Sequence, residues 1–271
     1  SKFFDEIDHE LMLKAVSHVM SENWVKMYVQ RWLEMSKVKK DGTIEENKGK
    51  GTPQGGVISP LLSNLYLHFT LDLWLSKNFP ECNFVRYADD LTIHCNTKEQ
   101  AEIVLAKVKD RLKTTRLSIN ENKTKIAYCK DYRRKQKHPN ISFEFLGFSF
   151  KPLKMLSKFN STTYTGFGCE ISKSNQKRIT SLIRDEPTLK FTSIDIGVIA
   201  SKLNSKLRGW INYYDIYGKR KLRRILLQLD KRLLYWLKKK HKTGLRHASR
   251  ILKTIKQRNP HLFYHWKKGY A

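Results

Sequence analysis

Residues 83–95 read NFVRYADDLTIHC, and the order of residue types in them decides the fold. Two runs rich in β-branched and aromatic residues, Asn83 to Tyr87 and Leu91 to Cys95, flank Ala88-Asp89-Asp90. This pattern predicts a tight β-hairpin with carboxylates near its tip. Adjacent carboxylates repel each other, and a plain turn is better served by Asn-Gly or Asp-Gly. The usual offset to such repulsion is a cation. Mg²⁺ takes oxygen ligands and is often held by one or two carboxylates plus substrate phosphates. In phosphoryl transfer, two such ions serve the attacking and leaving oxygens. A turn with two solvated aspartates is the structural alternative, and the dipeptide alone leaves both open.

Composition narrows the choice. The chain has 271 residues, enough for one large domain or two smaller ones, and 40% of them are apolar. Its 53 Lys+Arg face 25 Asp+Glu, a net charge of +28. Such an excess points to a polyanion, most commonly nucleic acid. From Lys190 to Ala271 there are 22 Lys+Arg and 3 Asp+Glu, so 19 of the 28 net charges lie in the last third. The four cysteines form no CxxC pair, which argues against a zinc site or a disulfide framework and makes a reducing, cytoplasmic setting the default. No apolar run is long enough to span a bilayer.

Around the hairpin, apolar spacing predicts helices over 9–20 and 23–36, with Asp8 as the cap of the first. Asp41-Gly42 predicts a short exposed hairpin. Ser59-Pro60 predicts a capped helix start running to about Lys77. Thr97 with Gln100 predicts a capping box for a helix to about Arg116. Lys125–Cys129 and Ser142–Phe150 are expected strands. Residues 153–171 are rich in Ser, Thr and Gly, with a strand or hairpin expected among them. From Lys173 on, basic amphipathic helices are expected over 173–186, 195–217, 219–240 and 245–258. The domain boundary is expected near 151–171.

Several stretches occur in a recognisable order: GTPQGGVISPLLSNLYLHFTLDLWL (51–75), RYADDLTIH (86–94), FEFLGFSF (143–150) and KLNSKLRGWINYY (202–214). Together they resemble the reverse transcriptases of group II introns, the maturases. The resemblance covers essentially the whole chain. Tyr-Ala-Asp-Asp alone also fits retrons, but the Pro-Gln-Gly-Gly and Arg-Gly-Trp-x-Asn-Tyr-Tyr segments favour the intron type, and the retron Val-Thr-Gly element is absent. The implied fold class is α+β: a right-hand polymerase palm, an antiparallel sheet with packed helices, then an all-helical basic thumb or domain X. The implied division is 1–152, partial fingers and palm, and 153–271, thumb.

The resemblance also implies roles. Asp89 matches the carboxylate that binds both catalytic Mg²⁺ ions, and Asp90 its secondary neighbour. Tyr87 and Ala88 would lie beneath the primer terminus. Gln54 and Gly55 match the loop that contacts the incoming dNTP, and Lys123 a lysine near its phosphates. Phe145, Leu146 and Gly147 match the primer-grip hairpin. SKFFDEIDH (1–9) resembles the family's first catalytic strand, with Phe4 as the residue that excludes a ribonucleotide. Its metal-binding Asp is expected two places before Ser1, so Asp5 and Asp8 are not assigned that role and the 271 residues alone are expected to be inactive as a polymerase.

In the basic module, Trp210, Tyr213, Tyr214 and Tyr217 fall on helical spacing and are expected to be mostly core. Arg208, Lys219, Arg220, Lys221, Arg223, Arg224, Lys238, Lys239 and Lys240 are the expected RNA contacts. The expected partners are template and intron RNA, a DNA primer or target, and dNTPs. These residues show no endonuclease pattern, so target-DNA cleavage is not expected of them. Two alternatives stay open: an RNA-binding splicing factor without significant polymerisation, and a domesticated or defence-associated reverse transcriptase.

Overall fold

Asp8, Thr97, Ser172 and Asp195 cap helix starts through their side chains. The Asp8 carboxylate accepts from the Leu11 amide at 3.1 Å and caps a helix over His9–Val19 (α2), which follows one helical turn at Phe3–Glu6 (α1). Thr97 accepts from the Gln100 amide and caps Lys98–Thr114 (α6), while the Gln100 side chain reaches back to accept from the Asn96 amide, one residue beyond the usual box. The computed structural model describes residues 3–38, 41–45, 49–52, 56–134, 136–157 and 162–270. It divides into two compact units, Ser1–Ile126 and Ala127–Ala271. Both are mixtures of helix and small antiparallel sheets. No described helix is long and apolar enough to cross a membrane.

In the first unit, α3 (Asn23–Glu34) is followed by the expected small hairpin, β1 (Lys37–Val38) with β2 (Ile44–Glu45), turning at Gly42 with φ +84°. The helix after the Pro/Gly-rich loop spans α4 (Ser59–Leu67), a π-helical segment His68–Asp72 and α5 (Leu73–Asn78). It starts one residue earlier than expected. Ile58 occupies the cap position, so Ser59 is the first helical residue, and its carbonyl accepts from the Ser63 hydroxyl at 2.6 Å. Strands β3 (Phe84–Tyr87) and β4 (Asp90–Ile93) pair antiparallel, Tyr87 opposite Asp90. Ile7, Met12, Val29, Leu62, Tyr66, Leu75, Val104 and Val108 belong to this unit's core.

Residues 3–9 depart from the strand expected of them: Phe3–Glu6 is a helical turn whose Phe4 carbonyl accepts from the Thr52 amide at 2.7 Å, and beyond it the Ile7 carbonyl accepts from the Gly51 amide at 2.6 Å in an isolated antiparallel bridge between Asp8 and Lys50. The expected strand over 125–129 is also missing. The Tyr128 amide donates to the Asn140 carbonyl and the Lys130 amide back to Tyr128, isolated bonds that never form a ladder.

In the second unit, β5 (Phe143–Phe145), β6 (Phe148–Leu156) and β7 (Thr163–Ile171) form a sheet in that order. The module expected to be all-helical therefore includes part of this sheet, because β6 runs through residue 152 and pairs with β7 along nine residues. Ser172 caps α7 (Lys173–Arg184), and a 3₁₀ turn follows at Pro187–Lys190. The two helices expected over 195–217 and 219–240 are one, α8 (Ile196–Lys240), 45 residues long and roughly 68 Å. Gly218 does not break it. The buried positions Leu203, Leu207, Ile211, Tyr214, Gly218, Leu222 and Leu226 continue one stripe, and Ile171 of β7 fills the space a side chain at Gly218 would need. α9 (Leu245–Arg258) and α10 (Tyr264–Lys267) complete the chain.

Candidate metal and nucleic-acid site

The β3–β4 hairpin turns on two residues, Ala88 and Asp89. Ala88 has φ +52°, a conformation that glycine normally takes at the first position of such a turn. Asp89 is the second turn residue and Asp90 opens β4. Both are exposed, and among the described residues neither carboxylate has a hydrogen bond or ion pair. In a chain with twice as many cations as anions, two neighbouring carboxylates without a partner are available to an external cation. Their oxygens are hard donors suited to Mg²⁺. Among the described residues no three His, Cys, Asp or Glu stand together as a metal site. A two-carboxylate set fits an ion whose remaining ligands are water and phosphate.

Arg86 supports the turn. Its guanidinium grips Asp72 with two bonds, Nε to Oδ1 at 2.7 Å and Nη2 to Oδ2 at 2.5 Å, while Nη1 donates to Asn64 Oδ1 at 2.8 Å and to the Ala88 carbonyl at 3.0 Å. These supports were not legible in the sequence. Their only signal was a lone Asp in a largely apolar helical run, in SNLYLHFTLD. At the hairpin's base, the His94 amide donates to the Asn83 carbonyl at 2.8 Å. Next to it Cys95 meets Cys82; burial, then that neighbour, pushes its thiol up to about 11. Little thiolate forms there at neutral pH.

Tyr87, 65% exposed, flanks the turn. Phe4 is half-buried and lies against Phe3 at 5.5 Å between ring centroids. Its carbonyl holds the Thr52 amide, which joins it to the start of the Pro/Gly-rich loop. Gln54 and Gly55 lie outside the described residues. The residue that brings this loop against Phe4 is Gly51, at φ +86°: a Cβ there would meet the Phe4 carbonyl and Asp5 Cα at 3.1 Å. The buried His9 fixes it further, its Nε2 lying 2.7 Å from the Gly51 carbonyl oxygen. Lys123 is exposed in a turn whose amides bond to the Asn120 carbonyl.

In the second unit, Leu146 and Gly147 form the turn between β5 and β6, with φ +48° and +78°. Two positive values at a two-residue turn match the right-handed twist of the strands it joins. The Tyr213 hydroxyl donates to the Leu146 carbonyl at 2.7 Å, and Phe148 packs on Tyr213, Tyr214 and Tyr217. This hairpin is therefore fastened to the middle of α8. Of the four aromatics expected to be mostly core, only Tyr214 is buried and Trp210 partly so. Tyr213 and Tyr217 are 50% and 65% exposed, because they cover the hairpin from outside the stripe.

The expected RNA contacts on α8 divide by what already holds them. Lys219, Arg220, Arg223, Arg224, Lys238 and Lys239 are exposed. Arg208 is exposed with its guanidinium 5.4 Å from the Tyr264 ring centre. Lys221 is within 3.7 Å of Glu170, and Lys240 donates to the Ile194 carbonyl at 2.6 Å. Those two serve the fold first.

Comparison with known proteins finds two families along the chain. Residues 1–150 match the family model described as reverse transcriptase (RNA-dependent DNA polymerase). Residues 173–256 match the group II intron, maturase-specific domain. The chain is 30% identical over 179 residues to Protein YkfC of Escherichia coli (strain K12), covering 54% of this chain and 44% of that protein. It is 22% identical over 288 residues to an uncharacterized 91 kDa protein in cob intron of Schizosaccharomyces pombe (strain 972 / ATCC 24843), covering 80% and 34%. The chain thus spans less than half the length of the curated relatives it matches.

Proposed function

Since this chain belongs to the reverse transcriptase family and carries a group II intron maturase-specific domain, we propose that its protein is an RNA-directed DNA polymerase that also binds intron RNA. The observation that carries this reading is the exposed, unpaired Asp89–Asp90 at a hairpin turn of a chain with net charge +28. Residues 1–152 are assigned to the palm and part of the fingers, and 153–271 to the thumb.

Asp89 and Asp90 would hold Mg²⁺, which when bound stabilises charge on the reacting phosphate and lowers the pKa of the attacking hydroxyl. The chain's own contribution is placement. Tyr87 and the Ala88 backbone offer a surface beside the carboxylates for the primer terminus. Phe4, tied to the loop that carries Gln54 and Gly55, faces the sugar of the incoming dNTP, and Lys123 offers charge for its phosphates. The Phe145-Leu146-Gly147 turn, fastened to α8 by Tyr213, holds primer backbone. Arg208, Lys219, Arg220, Arg223, Arg224, Lys238 and Lys239 neutralise RNA phosphates, with Lys221 and Lys240 contributing residual charge.

The test is primer extension on an RNA template by the full-length protein. Mg²⁺-dependent product is expected, and Asp89→Ala should reduce it by at least about 100-fold. RNA binding should survive that substitution and weaken steeply with added salt. No product from the wild type, or full activity in Asp89→Ala, would refute the polymerase. RNA binding without any product would instead establish a splicing factor, the reading favoured by the charge concentrated in the maturase-specific region.

A further inference from the structure

We propose that Arg86 is a positioning residue for the metal-binding turn, seated there by Asp72 and Asn64 through the π-helical segment. This rests on the polymerase reading above.

The π segment makes the seat. Asn64 and Asp72 are eight residues apart, which in an α-helix leaves them about 80° apart around the axis. One inserted residue, as in a π turn, reduces that to about 20° and brings both to one face. The Leu73 amide donates to the His68 carbonyl, five residues back, as such a turn requires. The widened turn frees carbonyls, and Arg111 on α6 takes them: Nε donates to the Thr70 carbonyl at 2.8 Å and Nη2 to Phe69 at 3.4 Å. The Asn64 side chain is oriented by its own amide, which donates to the Pro60 carbonyl at 3.0 Å, leaving Oδ1 toward Arg86.

Two consequences follow for Asp89. The Ala88 carbonyl, in a backbone conformation that L residues rarely adopt, is pinned by Arg86 Nη1. The turn therefore keeps its shape without glycine. Equally, the Arg86 charge is committed to Asp72 by a two-pronged ion pair. Without Asp72, a guanidinium three residues from Asp89 would compete with the metal for the carboxylates. Lysine cannot replace it, since a single ammonium does not present the planar fork that meets Asp72 while also reaching Asn64 and Ala88.

Arg86→Lys and Asp72→Asn in the full-length protein test this. Mn²⁺ binding followed by electron paramagnetic resonance should weaken at least fivefold in each, with Asp89→Ala as the reference for loss. The Mg²⁺ concentration for half-maximal extension should rise to match, while the KM for template–primer stays within twofold. Unchanged Mn²⁺ affinity in both variants would overturn the proposal. So would activity lost only in step with the thermal midpoint at an unaltered metal requirement. A wild type that extends no primer refutes the polymerase reading, and the Mn²⁺ measurement still decides the role of Arg86.

Discussion

Single residues carry chemistry when their neighbours leave them no other use. Asp89 and Asp90 were legible in the sequence because adjacency and flanking strand residues are local facts. Asp8 was legible as a cap for the same reason, and its second role was not. Its Oδ2 also accepts from Arg116 at 2.5 Å, 108 positions away. Burial pushes that carboxyl up, but the Arg116 bond and the Leu11 amide outweigh it and hold the carboxyl below its ordinary value. Gly51 escaped notice beside the more conspicuous glycines of the loop, since only the approach of Phe4 and Asp5 makes it necessary. Gly51→Ala should cost about 1–3 kcal/mol, from the positive φ and the crowded Cβ. Urea unfolding would measure it, and the extension assay should show a raised KM for dNTP, because the loop no longer seats against Phe4.

At the scale of elements, periodicity served well wherever one face is buried. It found α2, α3, α6, α7 and α9 and the β3–β4 hairpin. It failed where the backbone departs from its period: the π segment adds a residue no pattern records, and residues 125–129 have strand composition without a partner strand. Gly218 failed in the opposite direction, as a residue that reads as a helix end. Its place in the stripe is dictated by Ile171, whose Cγ1 would lie 2.6 Å from a Cβ there. Gly218→Leu should therefore destabilise the second unit by about 1–3 kcal/mol through overpacking. Chemical denaturation is the measurement, and exposed Gly209, with nothing near its Cβ position, is the control site.

At the scale of the whole molecule, the described residues form two hydrophobic cores, one drawn from Ile7 to Leu117 and one from Ile171 to Tyr270. Calorimetry should resolve two unfolding transitions. Asp230 identifies the second. It sits buried in the α8 stripe, accepting from Trp266 Nε1 at 2.8 Å and Lys256 Nζ at 2.8 Å, with His265 Nε2 at 3.2 Å. Burial pushes its carboxyl up, but the His265 and Lys256 bonds, with Trp266, hold it net below the ordinary aspartate value of 3.8. A lowered value means stability that is present above the unfolded carboxyl's value and lost as pH falls through the folded one. Asp230→Asn should lower only the second transition near neutral pH, by about 1.5–3 kcal/mol. The gap to wild type should close below about pH 4.

The separation of the cores also has a meaning in time. A ribosome delivers the chain from its N-terminus, and domains generally fold as units in that order. Every residue of the first core is joined to the chain before the first strand of the later sheet is made. The hairpin that bears the carboxylates can therefore close, and Arg86 can find Asp72, while the strongly basic helices are still unsynthesised. The strongly basic residues then arrive last, after the core that carries the Asp89–Asp90 hairpin has settled.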